Sequence, residues 1–284
     1  MNALVTSTRA ELLRLRKWPA TWVMAGVWLL LSIMFTFVFP YITYRTGDAT
    51  GPGAEVPAQQ LLADMMPAAV PEILTGGMPM FGGAIMLILG GLAVGSGYGW
   101  GTWKTVFTQG PGRLAAFGGT LAALAVTVVA VVAATFAVDV ALSSLVAVVE
   151  SQTIVWPGLA DVAAALGGGV LIFGMWTATG ALIGTLARSP ALAVGLGLVW
   201  ALAVENLLRG VAGLLGPLEN VTDLLPGTAA GSLAGALGGA GEGGDATPGV
   251  LTVLDSAPAT LLLAAYVVGF VAITLALVRR RDVV

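Results

Sequence analysis

Long apolar blocks alternate with shorter polar stretches along this chain, and the block lengths match a bilayer. Residues 20–41, 78–95, 114–137, 162–186, 191–208 and 258–278 each read as a membrane-spanning helix. About 20 apolar residues are needed to carry a helix across roughly 30 Å of hydrocarbon. A helix of a water-soluble domain breaks such blocks with a polar face. The pattern therefore predicts an all-α integral membrane protein, one transmembrane domain over 1–284 with six spans.

The first block is preceded by a different pattern. Within 1–19, residues 3–18 place Val5, Thr8, Leu12 and Leu15 at helical spacing, with Arg14 and Lys17 on the other side. This predicts an amphipathic N-terminal helix lying in the membrane interface, with Arg14, Arg16 and Lys17 at the head groups of membrane lipid. Pro19 marks its break from the first span. Some twenty residues of mixed polarity ahead of a full-length span are not expected to form a cleavable signal peptide. No lipidation signal is expected, because there is no Cys to acylate and Asn2 follows Met1.

Two links are long, 42–77 and 209–257. Residues 221–237 of the second are too apolar for a solvated loop and predict a re-entrant or interfacial helix after Pro226, before span 6. The glycine- and acid-rich 238–249 stretch reads as flexible. Inside the spans, Gly91-x-x-x-Gly95 and Gly180-x-x-x-Gly184 permit close helix approach, either within the chain or between copies.

Composition sharpens this picture. The chain is 57% hydrophobic and 10% charged, where a soluble domain carries about 25% charged residues. It has no Cys and no His, which removes disulfides, the usual zinc sites, and cysteine or histidine catalysis. The serines lack the usual base. No metal, cofactor or catalytic site is expected.

Charge placement sets the orientation. The segment before span 1, the links between spans 2 and 3 and between spans 4 and 5, and the tail after span 6 hold Arg9, Arg14, Arg16, Lys17, Lys104, Arg113, Arg188, Arg279, Arg280 and Arg281. These are ten of the twelve basic residues, against Glu11 and Asp282 as the only acids there. The other three links hold Arg45 and Arg209 but twelve acids. Positive-inside reasoning puts the first set, and both termini, in the cytoplasm of a multi-pass inner-membrane protein. Six spans satisfy the rule at every link.

The link 96–113 carries the most informative motif. Residues 95–114 read GSGYGWGTWKTVFTQGPGRL. This is not a phosphate-binding loop, which needs Gly directly before Lys and a strand before the loop. Here Trp103 precedes Lys104, and an apolar span precedes the loop. The better reading is a short cytoplasmic helix over 101–109, stopped by Gly110-Pro111-Gly112.

That segment resembles the coupling region of type-2 ABC transporter permeases. These show an aromatic, Gly-Thr, a short helix, a Gly/Pro/Ser turn and an Arg opening span 3. Tyr98, Gly101, Thr102, Lys104, Thr105, Gln109, Pro111 and Arg113 supply that segment here. The basic N-terminal helix, the six spans and the long link before span 6 are similar in layout. Two positions depart. Gly97 stands where such permeases often carry an acid, and no Lys follows Arg113 within 115–120. The alternative is a solvated loop with Trp100 and Trp103 at the membrane interface. The resemblance implies the permease subunit of an ATP-driven ABC exporter, paired with a second copy or a homologous permease. A separate cytoplasmic ATPase subunit would hydrolyse the ATP, so the chain itself would be no enzyme. The implied cargo is a hydrophobic or amphiphilic drug, antibiotic, peptide or lipid. Nothing points to nucleic acid. The rival classes are a non-transporting anchor or sensor subunit and a secondary transporter.

Glu205 is the one carboxylate inside an expected span. Two readings stand: an (i, i+4) pair with Arg209 at the outer interface, or a substrate or proton site. Asp139, just past the expected end of span 3, has the same two readings. Trp28, Trp176 and Trp200 fall mid-span, as core packing or as the lining of a substrate path.

Overall fold

A computed structural model describes residues 3–47, 56–108, 110, 112–212, 219–239 and 247–280. Gln109 and Pro111 of the 96–113 link, Arg281 and Asp282 of the tail, and residues 240–246 of the glycine-rich stretch lie outside the described residues. The described residues are helical, with no strand among them. Among the described residues six helices are long and apolar enough to cross a membrane, so the chain is an all-α integral membrane protein with several spans.

In chain order, α1 (Ala3–Lys17) leads into α2 (Pro19–Thr46). Two short helices follow, α3 (Ala58–Ala63) and α4 (Val70–Gly76). Next come α5 (Met78–Gly99), α6 (Thr102–Thr108), α7 (Arg113–Val149), α8 (Leu159–Ala187) and α9 (Pro190–Ala212). Then α10 (Glu219–Thr222) and α11 (Pro226–Ala234) precede α12 (Ser256–Arg280). The six spans are α2, α5, α7, α8, α9 and α12.

Wide π turns interrupt three spans. Those at Met34–Val38 and Met78–Gly82 adjoin or contain Pro40 and Pro79. The Pro40 ring would clash with the preceding turn, and a wider turn makes room for it without ending the helix. Pro79 is the second residue of its span, where its missing amide hydrogen costs nothing. The third, Val199–Val204, contains no proline and carries Trp200.

α7 runs to Val149 rather than to 137 and has 37 residues, about 55 Å at 1.5 Å per residue. Residues 138–149 contain neither Gly nor Pro to stop it. Its far end is held by Glu150, which accepts hydrogen bonds from Tyr41 (2.7 Å) and Tyr44 (3.2 Å) at the end of α2 and pairs with Arg45 (3.2 Å).

α5 and α8 form the centre. Over their most apolar stretches they are 72% and 61% buried, against 11–33% for the other spans. They run parallel in near backbone contact: a Cβ on Gly90 would lie 2.2 Å from the Thr177 carbonyl oxygen, and one on Gly180 only 2.0 Å from that of Leu87. The pairs Gly91/Gly95 and Gly180/Gly184 thus meet inside one chain, with a Cβ on Gly184 lying 3.1 Å from the Gly91 oxygen. α9 lies on the same helix, with Ala193 on Gly91 and Pro190 on Gly95. Buried apolar surface alone drives little association among helices in lipid, so such close van der Waals packing carries much of the stability.

The two ends of the bundle differ. At one end α1 lies across the first turns of α7, where a Cβ on Gly119 would be 2.6 Å from Ser7 Cβ. At the other end the long links fold into a packed cap. The helix expected after Pro226 is α11, and all nine of its residues are buried. The chain then returns beside it, Leu251 N–H donating to Gly231 O (3.0 Å) and Leu254 N–H to Ser232 Oγ (3.1 Å). α4 joins this cap with Val70, Pro71, Leu74, Thr75 and Gly76 buried.

Candidate functional site

α6 stands at the α1 end of the bundle on an aromatic pedestal. Gly101, with φ +67°, turns the chain out of α5. Trp103 then folds back and is 4% exposed. Its indole donates to the Val94 carbonyl at 3.2 Å. Its ring lies 4.9 Å from that of Phe117 on α7, 5.5 Å from Phe107 and 6.2 Å from Tyr98. Arg113 sits over Phe107 at 6.0 Å. The opposite face is exposed and carries Thr102, Lys104, Thr105 and Thr108. Tyr98, Thr102, Lys104, Thr105 and Arg113 are thus gathered on or around one helix, two of them inward-facing aromatic or arginine contacts and three outward.

The pedestal explains one departure noted in the sequence. A Cβ at Gly97 would lie 2.4 Å from Trp103 Nε1, so an acid at 97 would push the indole off its seat. Trp103 is accordingly no interfacial residue, whereas Trp100 is 71% exposed. Only the glycine beside it signals the difference in sequence.

The basic residues of α1 divide. Of the expected stripe, Leu15 is buried and Thr8 and Leu12 are half-buried, while Val5 is 45% exposed; the inward face is wider than expected and takes in Ser7, Glu11 and Arg14. Arg14 is the correction. It turns inward, donating to Ala93 O (3.1 Å) and pairing with Glu11 (2.8 Å). Arg16 and Lys17 are exposed.

The four residues considered for a substrate path fall into two pairs. Trp28 and Trp176 are each 2% exposed. Trp28 donates to Thr135 Oγ1 at 2.9 Å and meets Phe173 edge-on at 5.2 Å. It packs on Gly82, and Trp176 packs on Gly83. Both are core residues of the α2, α5 and α8 contact.

Trp200 and Glu205 form the second pair. Residues five apart sit about 140° apart around a regular α-helix, but the π turn brings them together: Trp200 Nε1 donates to Glu205 Oε1 at 2.8 Å. The other carboxylate oxygen accepts the Gly227 amide at 2.8 Å, in the first turn of α11. Glu205 is fully buried. Arg209 lies close by without a direct ion pair to Glu205: its guanidinium donates to Asn206 Oδ1 (2.8 Å) and Thr228 Oγ1 (3.4 Å). A carboxylate at a helix N-terminus satisfies amides that lack a partner within the helix. Glu205 therefore fastens α9 to the cap. Glu205→Leu leaves the buried Gly227 amide unsatisfied, at about 1–3 kcal/mol, and takes the acceptor from the part-exposed Trp200 indole. The expected outcome is a clear drop in Tm of the purified protein, with Glu205→Gln falling less; equal Tm values for Glu205→Leu and wild type would refute the clamp.

Asp139 is a second correction. Because α7 continues, it sits inside the helix at 1% exposure, and neither carboxylate oxygen has a hydrogen-bond partner. The Glu150–Tyr41–Tyr44 cluster escaped sequence reading, because its members are more than a hundred residues apart. In the cap, burial first and Asp64 second push the Glu72 carboxyl above its ordinary range, and burial raises that of Asp64.

No family model matches the chain, and neither does any curated protein.

Proposed function

We propose that the chain is the permease subunit of an ATP-driven exporter, with α6 as its coupling helix. The observation that supports this best is the form of α6. It is too short to be stable alone, yet it is seated by Trp103 against α5 and α7 while an outward face of Thr102, Lys104, Thr105 and Thr108 remains free of packing. A partner pressing on that face moves the pedestal, and through Val94 and Phe117 it moves one central span and its neighbour. ATP is hydrolysed by the partner, and the cargo is hydrophobic or amphiphilic. A second copy of the chain, or a homologue, completes the transporter. In this reading the α1 end faces the cytoplasm and the cap faces outward.

Thr105→Pro tests the coupling role. Proline removes an amide donor and clashes with the preceding turn, at about 3 kcal/mol in a helix interior. The protein is expected to insert normally while ATPase association and transport fall; Gly243→Pro, in the glycine-rich stretch, serves as control. Wild-type transport by Thr105→Pro would mean that α6 does not couple.

The orientation has its own test. The native chain has no Cys, so single cysteines report cleanly. In intact cells a cysteine at Arg188 is expected to resist impermeant thiol reagents, and one at the exposed Asp64 to react. The opposite labelling pattern inverts the topology.

A further inference from the structure

A cavity of about 260 Å³ opens at the corner between α1 and α2, lined by Arg14, Lys17, Trp18, Pro19 and Trp100. It brings together the end of α1, the start of α2 and the residue before the Gly101 turn into α6. Its uncompensated charge is that of Lys17. Among the described residues Glu11 is the only acid on α1, and it is already paired with Arg14, whose guanidinium also lies 5.8 Å over the Trp18 ring. Lys17 is exposed and makes no ion pair with any described residue. The other walls are the two tryptophans and a proline, and tryptophan favours the depth of lipid head groups.

An apolar lane leads away from this corner. Pro19, Val23, Val27 and Leu30 recur at helical spacing along α2, and the last three are 53%, 39% and 59% exposed. Nothing lies within 4 Å of a Cβ placed at Gly26 beside them. A cationic niche at one end and an open apolar strip at the other have the shape of an amphiphile. A free anion would use only the first.

We infer that this corner is a binding site for one anionic phospholipid, its phosphate beside Lys17 between Trp18 and Trp100 and an acyl chain along Val23, Val27 and Leu30. The lipid touches Trp100 directly ahead of α6, so its occupancy bears on how α6 is held. The inference rests on the chain's being a membrane protein and stands whether or not it couples to an ATPase.

The test counts phospholipids retained by the intact purified protein in native mass spectrometry, after equilibration with phosphatidylglycerol or phosphatidylcholine in neutral detergent. Wild type is expected to retain one phosphatidylglycerol in clear preference to phosphatidylcholine. Lys17→Gln is expected to lower its affinity about fivefold, the equivalent of about 1 kcal/mol for one basic residue at an anionic surface. Trp100→Ala is expected to lower it as well. Arg9→Gln, which removes an exposed charge on the same helix away from the cavity, should leave affinity within about twofold, and inorganic phosphate should not compete. Equal losses for Lys17→Gln and Arg9→Gln would reduce the site to diffuse surface charge. Competition by inorganic phosphate would make it a free-anion site, and equal retention of phosphatidylcholine would remove the role of charge. Each of these results overturns the proposal.

Discussion

Gly180→Ala is expected to cost about 3 kcal/mol, the upper part of the usual range for overpacking. The added methyl would lie 2.0 Å from the Leu87 carbonyl oxygen, which belongs to backbone and cannot rotate away. Its helix partner is equally tight, since a Cβ on Gly90 would meet the Thr177 carbonyl. Relief requires α5 and α8 to separate, and these are the two most buried spans. Such a cost is a large part of a stability of about 5–15 kcal/mol. The measurement is the thermal midpoint and monodisperse yield in one detergent, with Gly195→Ala alongside. Gly195 is also helical, but nothing lies within 4 Å of its Cβ position, so alanine there should be neutral or stabilising by up to about 1 kcal/mol. Similar midpoints for the two variants would mean that α5 and α8 do not pack this closely.

Trp103→Ala is expected to have the larger functional effect. It removes the seat of α6: the bond to Val94 O and the ring contacts with Tyr98, Phe107 and Phe117. Large-to-small changes at buried aromatics cost about 3–5 kcal/mol, more than a seven-residue helix can hold by itself. Because α6 lies at the end of the bundle, that loss should release α6 and leave the spans assembled. The expected result is normal insertion, faster hydrogen exchange over 102–108 and, under the proposed coupling role, transport-linked ATP turnover reduced at least tenfold. Trp103→Phe keeps the ring stacking and gives up one hydrogen bond of about 1 kcal/mol, so it should recover most of the activity. Full activity in Trp103→Ala would show that the pedestal transmits nothing.

The spans were legible because their signal is a sum over about twenty residues, which a single Gly or polar side chain cannot cancel. α11 was legible for a similar reason, as an apolar stretch opening on Pro226. What escaped depends on contacts that a linear reading does not see. The end of α7 could not be placed by hydropathy, because the stretch after 137 stays apolar; the helix closes at Ser151, with φ +52°, where Tyr41 and Tyr44 of another helix hold the Glu150 side chain. Glu205 sits four residues before Arg209, which favours a pair on a regular helix. The π turn at Val199–Val204 instead hands it Trp200, and the link beyond hands it Gly227. Arg14 looked like a surface charge because the inward face of α1 is wider than its apolar stripe. The close seat on α7 at Gly118 and Gly119, which widens it, lies a hundred residues away. The segment around α6 was legible as a helix with an aromatic flank, but which tryptophan turns inward was decided by the missing side chain at Gly97.

The exporter reading stands or falls most directly on what accompanies the chain in its own membrane. Affinity-tagged chain, extracted from native membranes in mild detergent, is expected to bring with it a separate nucleotide-hydrolysing subunit and vanadate-sensitive ATP hydrolysis. The same chain purified away from that subunit should bind no ATP, since it lacks Gly-Lys-Ser/Thr and any polar segment long enough for a nucleotide domain. An intact complex with no ATP-hydrolysing partner, or saturable ATP binding by the isolated chain, would contradict the account.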